Sequence, residues 1–171
     1  LYESSGKFSK VIFDLEEVIK EKRKVLLYSQ FTSMLHLIKK EAQNRNWKYV
    51  YLDGSTKDRE QVVSQFQEDE QTLLFLISLK AGGVGLNLTK ADYVFLYDPW
   101  WNTAIESQAI DRAHRLGRSD RVIARRYVTA LSIEEKIMKN KKHKQQLSQT
   151  LMEDLSNVEA LSFDDLINLL D

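Results

Sequence analysis

The chain has 171 residues, of which 43% are hydrophobic and 29% are charged, and its formal net charge is zero. These values predict one folded domain and exclude a disordered chain, and no apolar run is long enough to cross a bilayer. The absence of cysteine excludes disulfides and thiol chemistry, and three scattered histidines argue against a metal site. Because there is no secretory signal, the expected location is intracellular, and the start at Leu1 suggests a piece of a longer protein.

Apolar runs and helical periods alternate along the chain. In chain order, the pattern predicts a helix over Lys7–Arg23, a strand over Lys24–Ser29, a helix over Phe31–Asn46, a strand over Trp47–Gly54, a helix over Lys57–Asp69, strands over Thr72–Ser78 and Tyr93–Asp98, a helix over Thr103–Leu116, a strand over Arg121–Thr129, and helices over Ser132–Leu151 and Phe163–Leu170. Strands that alternate with helices indicate a parallel sheet covered on both faces, with its chemistry at the carboxyl ends of the strands. Ser132 and Glu135 predict a capping box at the start of the long helix, and Ser162 a cap on the last one.

The zero net charge conceals an uneven distribution. From Asp111 to Lys144 there are eleven Lys and Arg against four Asp and Glu, whereas the stretch from Glu153 to Asp171 has six acidic residues and no basic one. A solvated helix face and a phosphate-facing surface are both open interpretations of the basic stretch.

A glycine-rich segment follows the most apolar predicted strand. Gly82, Gly83 and Gly85 lie within four residues, in a chain that has only six glycines. Backbone N–H groups in such a loop can bind phosphate oxygens, although a tight turn between strand and helix is the alternative. No GxxxxGK[ST] run is present, so the sequence does not predict strong triphosphate binding by this chain alone.

An arginine-rich stretch lies on the predicted helix from Thr103. Gln108, Arg112 and Arg115 follow one another at spacings of four and three residues, along the edge of the apolar stripe. Two guanidinium groups on one helix edge favour an anion between them, with a polyphosphate as the obvious candidate. An ion pair of Arg115 with Asp111, one turn earlier, is the alternative.

Five short segments occur in an order that resembles a known family. They are Ser29-Gln30-Phe31, Leu52–Ser55, Ala81–Leu88, Asp98 with Trp101-Asn102, and Gln108–Arg115. The chain is similar to the C-terminal RecA-like lobe of the Swi/Snf-type ATPases, within the superfamily two helicases that translocate on double-stranded DNA. The resemblance implies a three-layer α/β/α fold with a mostly parallel central sheet and a C-terminal helical extension.

The resemblance also implies roles at the nucleotide. Arg115 resembles the arginine finger of the family, and Arg112 a neighbour that reaches the terminal phosphate. Gln108, Gly83 and Gly85 match residues that line the nucleotide cleft. ATP with magnesium would be held mainly by an N-terminal lobe of the same polypeptide, which this chain lacks.

A second set of residues matches the family's DNA contacts. They lie in the loops after four predicted strands and are expected to touch the backbone of double-stranded DNA: Ser29, Gln30, Gly54, Ser55, Ser78, Lys80 and Trp101. The same resemblance divides the chain into a lead-in helix (residues 1–23), a RecA-like lobe (24–131), and a brace-like helix with a helical tail (132–171).

Three positions depart from the family pattern. Leu79 replaces a usual threonine, Arg118 a usual glutamine, and Thr103 a frequent proline. The first substitution removes one possible phosphate contact, and the second adds positive charge. None of them changes Arg112 or Arg115.

Two other functions remain open from the sequence. One is a catalytically silent domain of the same fold that binds nucleic acid or a protein through the basic Asp111–Lys144 stretch. The other is a phosphate-binding α/β enzyme of a different class, which would bind a nucleotide tightly without another lobe.

Overall fold

The computed structural model describes residues 6–81, 86, 88–98, 109, 110, 113 and 122–140. Three helices and five strands follow one another along the described chain: α1 (Gly6–Lys20), β1 (Val25–Ser29), α2 (Thr32–Asn44), β2 (Tyr49–Leu52), α3 (Arg59–Glu68), β3 (Leu74–Ser78), β4 (Tyr93–Leu96) and β5 (Ile123–Arg126). Residues 133–140 form a further helix, α4. Among the residues described, no helix has the length and apolar character that a membrane span requires.

The five strands form one sheet in the order β2-β3-β1-β4-β5, and all neighbours are parallel. The central strand β1 pairs with β3 from Val25↔Leu74 to Ser29↔Ser78, and with β4 from Val25↔Tyr93 onward. Every residue of β1 and β3 is buried, as expected for central parallel strands. The predicted α/β fold with a parallel sheet is confirmed.

Alternate residues of the central strands supply two separate cores. Val25 and Leu27 pack with α1 and α2 on one face of the sheet, whereas Leu26 and Tyr28 pack with Phe66 of α3 on the other. The helix predicted as a lead-in therefore contributes directly to the first core.

Helix α1 ends three residues, and helix α2 two residues, earlier than the sequence predicts. Lys22 and Asn46 follow them with φ of 55° each, a left-handed conformation that stops a helix. After α1, the Arg23 N–H donates to the Val18 carbonyl (3.0 Å) and the Lys22 N–H to the Ile19 carbonyl (3.0 Å). This is a Schellman pattern with lysine where glycine is usual, so the sequence carries no glycine signal for the end of α1.

The start of α4 also differs from the prediction. Ser132 Oγ accepts from the Glu134 N–H (3.1 Å), and the Glu135 carboxylate accepts from the Leu131 N–H (2.7 Å) rather than from Ser132. The predicted capping box is therefore wrong in its partners, because the turn at Leu131, with φ of 56°, presents its own N–H to Glu135.

Candidate nucleic-acid interface

The carboxyl ends of β1, β2, β3 and β4 share one edge of the sheet, because all the strands are parallel. The chain leaves β1 toward β2 on one side and leaves β4 toward β5 on the other. The connections therefore diverge between β1 and β4, and such a divergence leaves a crevice where α/β proteins bind ligands. The described residues that the sequence predicts as DNA contacts lie along this edge.

The loop after β1 is organised by a single carboxylate. Asp98 Oδ2, just beyond β4, accepts hydrogen bonds from the Ser29 hydroxyl and from the Gln30 N–H (3.2 Å). Ser29 Oγ in turn accepts from the Phe31 N–H (3.1 Å). Ser29 is completely buried, whereas Gln30 is partly exposed and Phe31 is 55% exposed. Ser29 thus supports the loop from below, and Gln30 and Phe31 form its surface.

Asp98 is itself buried and lacks a direct cationic partner among the described residues. Burial raises the pKa of the Asp98 carboxyl, and the hydrogen bonds from Ser29 and Gln30 and the charge of Lys7 oppose that rise without cancelling it. The Lys7 ammonium lies 4.6 Å from the centre of the Tyr97 ring and 2.7 Å from Glu134 Oε1. The ion pair therefore joins the first turns of α1 and α4.

The turn after β2 is held by another aspartate. Asp53 Oδ1 accepts from the Ser55 N–H (2.8 Å) and hydroxyl (2.6 Å), and Oδ2 accepts from the Tyr51 hydroxyl (3.1 Å). The hydrogen bond from the Ser55 hydroxyl is the main reason that the pKa of Asp53 lies below its ordinary value. Burial, aided by Asp53, raises the pKa of Tyr51 to about 12. This network fixes the turn that contains Gly54 and Ser55.

Gly54 and Ser55 are exposed at the tip of that turn. A Cβ atom at Gly54 would meet no atom of the described residues within 4 Å, so packing against that part of the chain does not require glycine there. The absence of a side chain leaves the backbone at this exposed turn open to close approach.

The segment after β3 alternates between core and surface. Ser78, Leu79 and Ala81 are buried, and Lys80 is exposed. Leu79, one of the departures from the family pattern, packs in the second core with Phe75 and Ile77. A leucine at this position therefore fills the core, and Lys80 is the side chain that reaches the edge.

Six of the predicted site residues lie outside the described part of the structure: Gly83, Gly85, Trp101, Gln108, Arg112 and Arg115. Ala109 and Ala113, within the same segment, are buried in the second core. Their burial agrees with the apolar stripe predicted for that helix.

Of the predicted DNA contacts, four are described at the surface of the carboxyl edge: Gln30, Gly54, Ser55 and Lys80. Ser29 and Ser78 are buried, with 0% and 3% exposure, and their side chains support the edge instead of facing outward. Direct contacts from these two side chains stay predictions, which this geometry does not favour.

The sequence reasoning missed the residues that organise these loops. Asp98 stands out as an acid directly after an apolar strand, but its pairing with Ser29 spans 69 residues. Asp53 and Ser55 carried a local signal, because an aspartate two residues before a serine is typical of a side-chain-stabilised turn.

The chain matches the helicase conserved C-terminal domain family over residues 9–117. It is 44% identical over 150 residues to the chromatin-remodeling ATPase INO80 of Neurospora crassa. This match covers 86% of this chain and 8% of the relative. An uncharacterized ATP-dependent helicase of Mycoplasma genitalium is 36% identical over 171 residues, or 98% of this chain and 17% of the relative. The chain thus spans less than a fifth of either protein.

A solved structure agrees with these sequence relatives. The C-terminal part of the Fun30 ATPase domain superposes with a TM-score of 0.75 at 37% identity, covering 80% of this chain and 45% of that one. The fold of this chain thus has a counterpart in the C-terminal part of an ATPase domain. This chain therefore belongs to the helicase conserved C-terminal domain family, as a C-terminal RecA-like lobe of the Swi/Snf type.

Proposed function

We propose that this chain is the second motor lobe of an ATP-dependent translocase that moves on double-stranded DNA. The observation that carries the proposal is the shared edge at which three strand-end loops expose Gln30, Gly54 with Ser55, and Lys80. These are three of the loops that match the DNA-contacting segments of the family. Relatives named as remodelling ATPases and ATP-dependent helicases support the same motor class.

On the nucleotide side, Arg115 would stabilise the charge that develops on the transferring phosphoryl group, and Arg112 would contact the terminal phosphate. Gln108, Gly83 and Gly85 would complete the cleft from this side. ATP with magnesium would be held mainly by an N-terminal lobe of the same polypeptide, since the sequence has no GxxxxGK[ST] phosphate loop. An arginine finger contributes about a thousandfold or more to the hydrolysis rate.

On the DNA side, Gln30, the turn at Gly54 and Ser55, and Lys80 would contact the phosphate backbone. Such contacts depend strongly on salt and carry little sequence preference. Trp101 would link the DNA-facing and nucleotide-facing segments. Closure of this lobe on ATP and its reopening after hydrolysis would move these contacts along the duplex.

The proposed motor would work inside the cell. The Neurospora relative carries the words "chromatin-remodeling" in its name, which favours a nuclear site for a eukaryotic protein. In a bacterial cell, the same activity would operate in the cytoplasm or nucleoid.

The direct test is Arg115→Ala in the full-length polypeptide. We expect DNA-stimulated ATP hydrolysis to fall about a thousandfold or more, with ATP binding nearly unchanged, because the finger acts on the transition state and the nucleotide is held mainly by the other lobe. Steady-state hydrolysis with and without duplex DNA, together with equilibrium ATP binding, provides the measurement.

Arg45→Ala is the matched control. Arg45 lies between the end of α2 and the start of β2, on the side of the sheet away from the carboxyl ends of the strands. It pairs there with Glu16 and Glu41. Its removal should leave hydrolysis within about twofold, because exposed ion pairs contribute little. Wild-type turnover in the Arg115→Ala protein would refute the motor function proposed for this lobe, whereas a full-length wild-type protein that hydrolyses no ATP would favour a silent interaction domain.

A further inference from the structure

We propose that Asp98 is a positioning residue that fixes the β1–α2 loop so that Gln30 meets the DNA backbone. The inference rests on the proposed function, and it assigns Asp98 a role through Gln30 rather than a DNA contact of its own. Asp98 is 4% exposed, so its carboxylate acts from beneath the interface.

One carboxylate oxygen determines the path of three successive residues. Asp98 Oδ2 accepts from the Ser29 hydroxyl and from the Gln30 N–H, and Ser29 Oγ accepts from the Phe31 N–H. If the carboxylate were removed, the Gln30 N–H would lose its acceptor, and the buried Ser29 hydroxyl would keep only the Phe31 carbonyl at 3.3 Å. An unpaired buried donor is costly, so the loop would shift to find water and carry Gln30 with it.

The two charged side chains whose charges act on Asp98 are paired with each other. Lys7 of α1 and Glu134 of α4 form an ion pair at 2.7 Å, and the Lys7 ammonium rests on the ring of Tyr97, next to Asp98 in sequence. Lys7 is thus engaged with Glu134, and the hydrogen bonds that Asp98 accepts come from Ser29 and Gln30. An acid that is buried between strand ends with neutral donors serves geometry at that edge more than it serves stability.

The experiment compares Asp98→Ala with a matched variant, Asp14→Ala, in the full-length polypeptide. Asp14 is 5% exposed but interacts with Tyr127 and Arg125 in and beside β5, away from the β1–α2 loop. We expect Asp98→Ala to raise the duplex DNA concentration that half-saturates ATP hydrolysis by about tenfold, with kcat at saturating DNA within about twofold. Asp14→Ala should lower stability more and leave that DNA concentration within about twofold.

The conservative variant adds a second readout. The carboxamide oxygen of Asp98→Asn can still accept hydrogen bonds from Ser29 and Gln30. The DNA concentration that half-saturates ATP hydrolysis should therefore lie within about threefold of the wild-type value. If Asp98→Ala does not fold, Ser29→Ala removes one donor of the same network and should raise half-saturation by about twofold to threefold.

Unchanged half-saturation in Asp98→Ala, or in Ser29→Ala where that variant replaces it, would overturn the positioning role. Equal changes of DNA half-saturation in Asp98→Ala and Asp14→Ala would overturn it too, because the effect would then follow from lost stability alone. Failure of the proposed function itself has a different signature, since hydrolysis would then show no stimulation by DNA or no dependence on Arg115.

Discussion

Asp14 and Asp98 are buried to nearly the same extent, with 5% and 4% of their surfaces exposed. Asp14 lies on α1 and accepts hydrogen bonds from Lys10 Nζ (2.8 Å) and the Tyr127 hydroxyl (2.9 Å), with Arg125 at 3.3 Å. Asp98 lies at the carboxyl edge of the sheet and accepts from a hydroxyl and a backbone N–H. The partners of the two buried carboxylates therefore differ: Asp14 has two cations and a hydroxyl, whereas Asp98 has a hydroxyl and a backbone N–H.

The pKa values of the two aspartates move in opposite directions. Burial raises the pKa of Asp14, but the hydrogen bonds from Lys10 and Tyr127 and the charges of Lys10 and Arg125 outweigh burial and hold it below its ordinary value. At Asp98 burial prevails, and the pKa is raised. The ionised carboxylate therefore stabilises the fold at Asp14 and costs stability at Asp98.

The difference separates a region that holds the fold together from one that shapes an interface. The Asp14 cluster joins α1 to β5 at the edge of the sheet, and its arginine also lies over the rings of Tyr93 and Phe95, 5.7 Å from each ring centre. The Asp98 cluster lies where the strand connections diverge, and its donors belong to a loop with an exposed tip. We expect substitutions at the first site to change stability and substitutions at the second to change DNA coupling.

The largest effect on stability should come from Asp14→Ala. It leaves the buried Tyr127 hydroxyl without an acceptor and removes the partner of two cations, so the free energy of unfolding should fall by about 2–3 kcal/mol. Urea denaturation at neutral pH provides the measurement. As a control, Glu17→Ala removes an exposed carboxylate 3.5 Å from Lys20 and should cost about 0.5 kcal/mol or less. Equal losses in the two variants would remove the distinction drawn for Asp14.

Tyr127→Phe should have an intermediate effect. It deletes only the hydroxyl and keeps the edge-to-face packing on Phe95, with ring centres 5.4 Å apart. The free energy of unfolding should fall by about 1 kcal/mol, the net contribution of one buried hydrogen bond. Tyr49→Phe, which removes a surface hydrogen bond to Gln43, is the matched control and should cost less. An unchanged free energy of unfolding in Tyr127→Phe would mean that Lys10 and Arg125 alone keep Asp14 ionised.

Much of the fold could be predicted from the sequence, because burial on both faces of β1 and β3 requires the continuous apolar runs that mark central parallel strands. The end of α2 is marked in the sequence by Asn44 and Asn46, but the end of α1 could not be predicted, since Lys22 adopts the left-handed conformation without being glycine.

The position of the candidate interface in the fold could be predicted from the sequence, but the hydrogen bonds that hold its loops could not. A rule about parallel strands places Gln30, Ser55 and Lys80 at one edge, and the structure confirms that placement. The hydrogen bonds to Asp98 join residues 68 and 69 positions apart, and no local pattern encodes them. The role of Asp14 could not be predicted either. Its partner Tyr127 lies 113 residues away in the sequence, so a single acid within the apolar stripe of α1 carries no local signal of that hydrogen bond.

The smallest change in stability, and the sharpest test of the comparison, should come from Asp98→Asn. At neutral pH its free energy of unfolding should lie within about 0.5 kcal/mol of wild type, because the amide keeps an acceptor and no buried charge remains to be compensated. The pH dependence then has a definite sign. A carboxyl with a raised pKa in the folded state contributes stability that is present below its ordinary value of 3.8 and is lost as pH rises through the raised pKa.

Wild type should therefore gain stability relative to Asp98→Asn as the pH falls from about 7 toward about 4. Asp14 has the opposite sign, since its contribution is present above 3.8 and is lost as pH falls through its lowered pKa. Wild type should accordingly lose its advantage over Asp14→Asn below that value. Urea denaturation of the three proteins from about pH 7 to below 3.8 measures both differences, because the comparison with wild type removes the contributions that the proteins share. For each variant, the difference in free energy of unfolding from wild type is plotted against pH. Slopes of the same sign would show that hydrogen bonds and charges offset the burial of Asp98 as fully as that of Asp14. The carboxyl edge would then not differ from the Asp14 cluster.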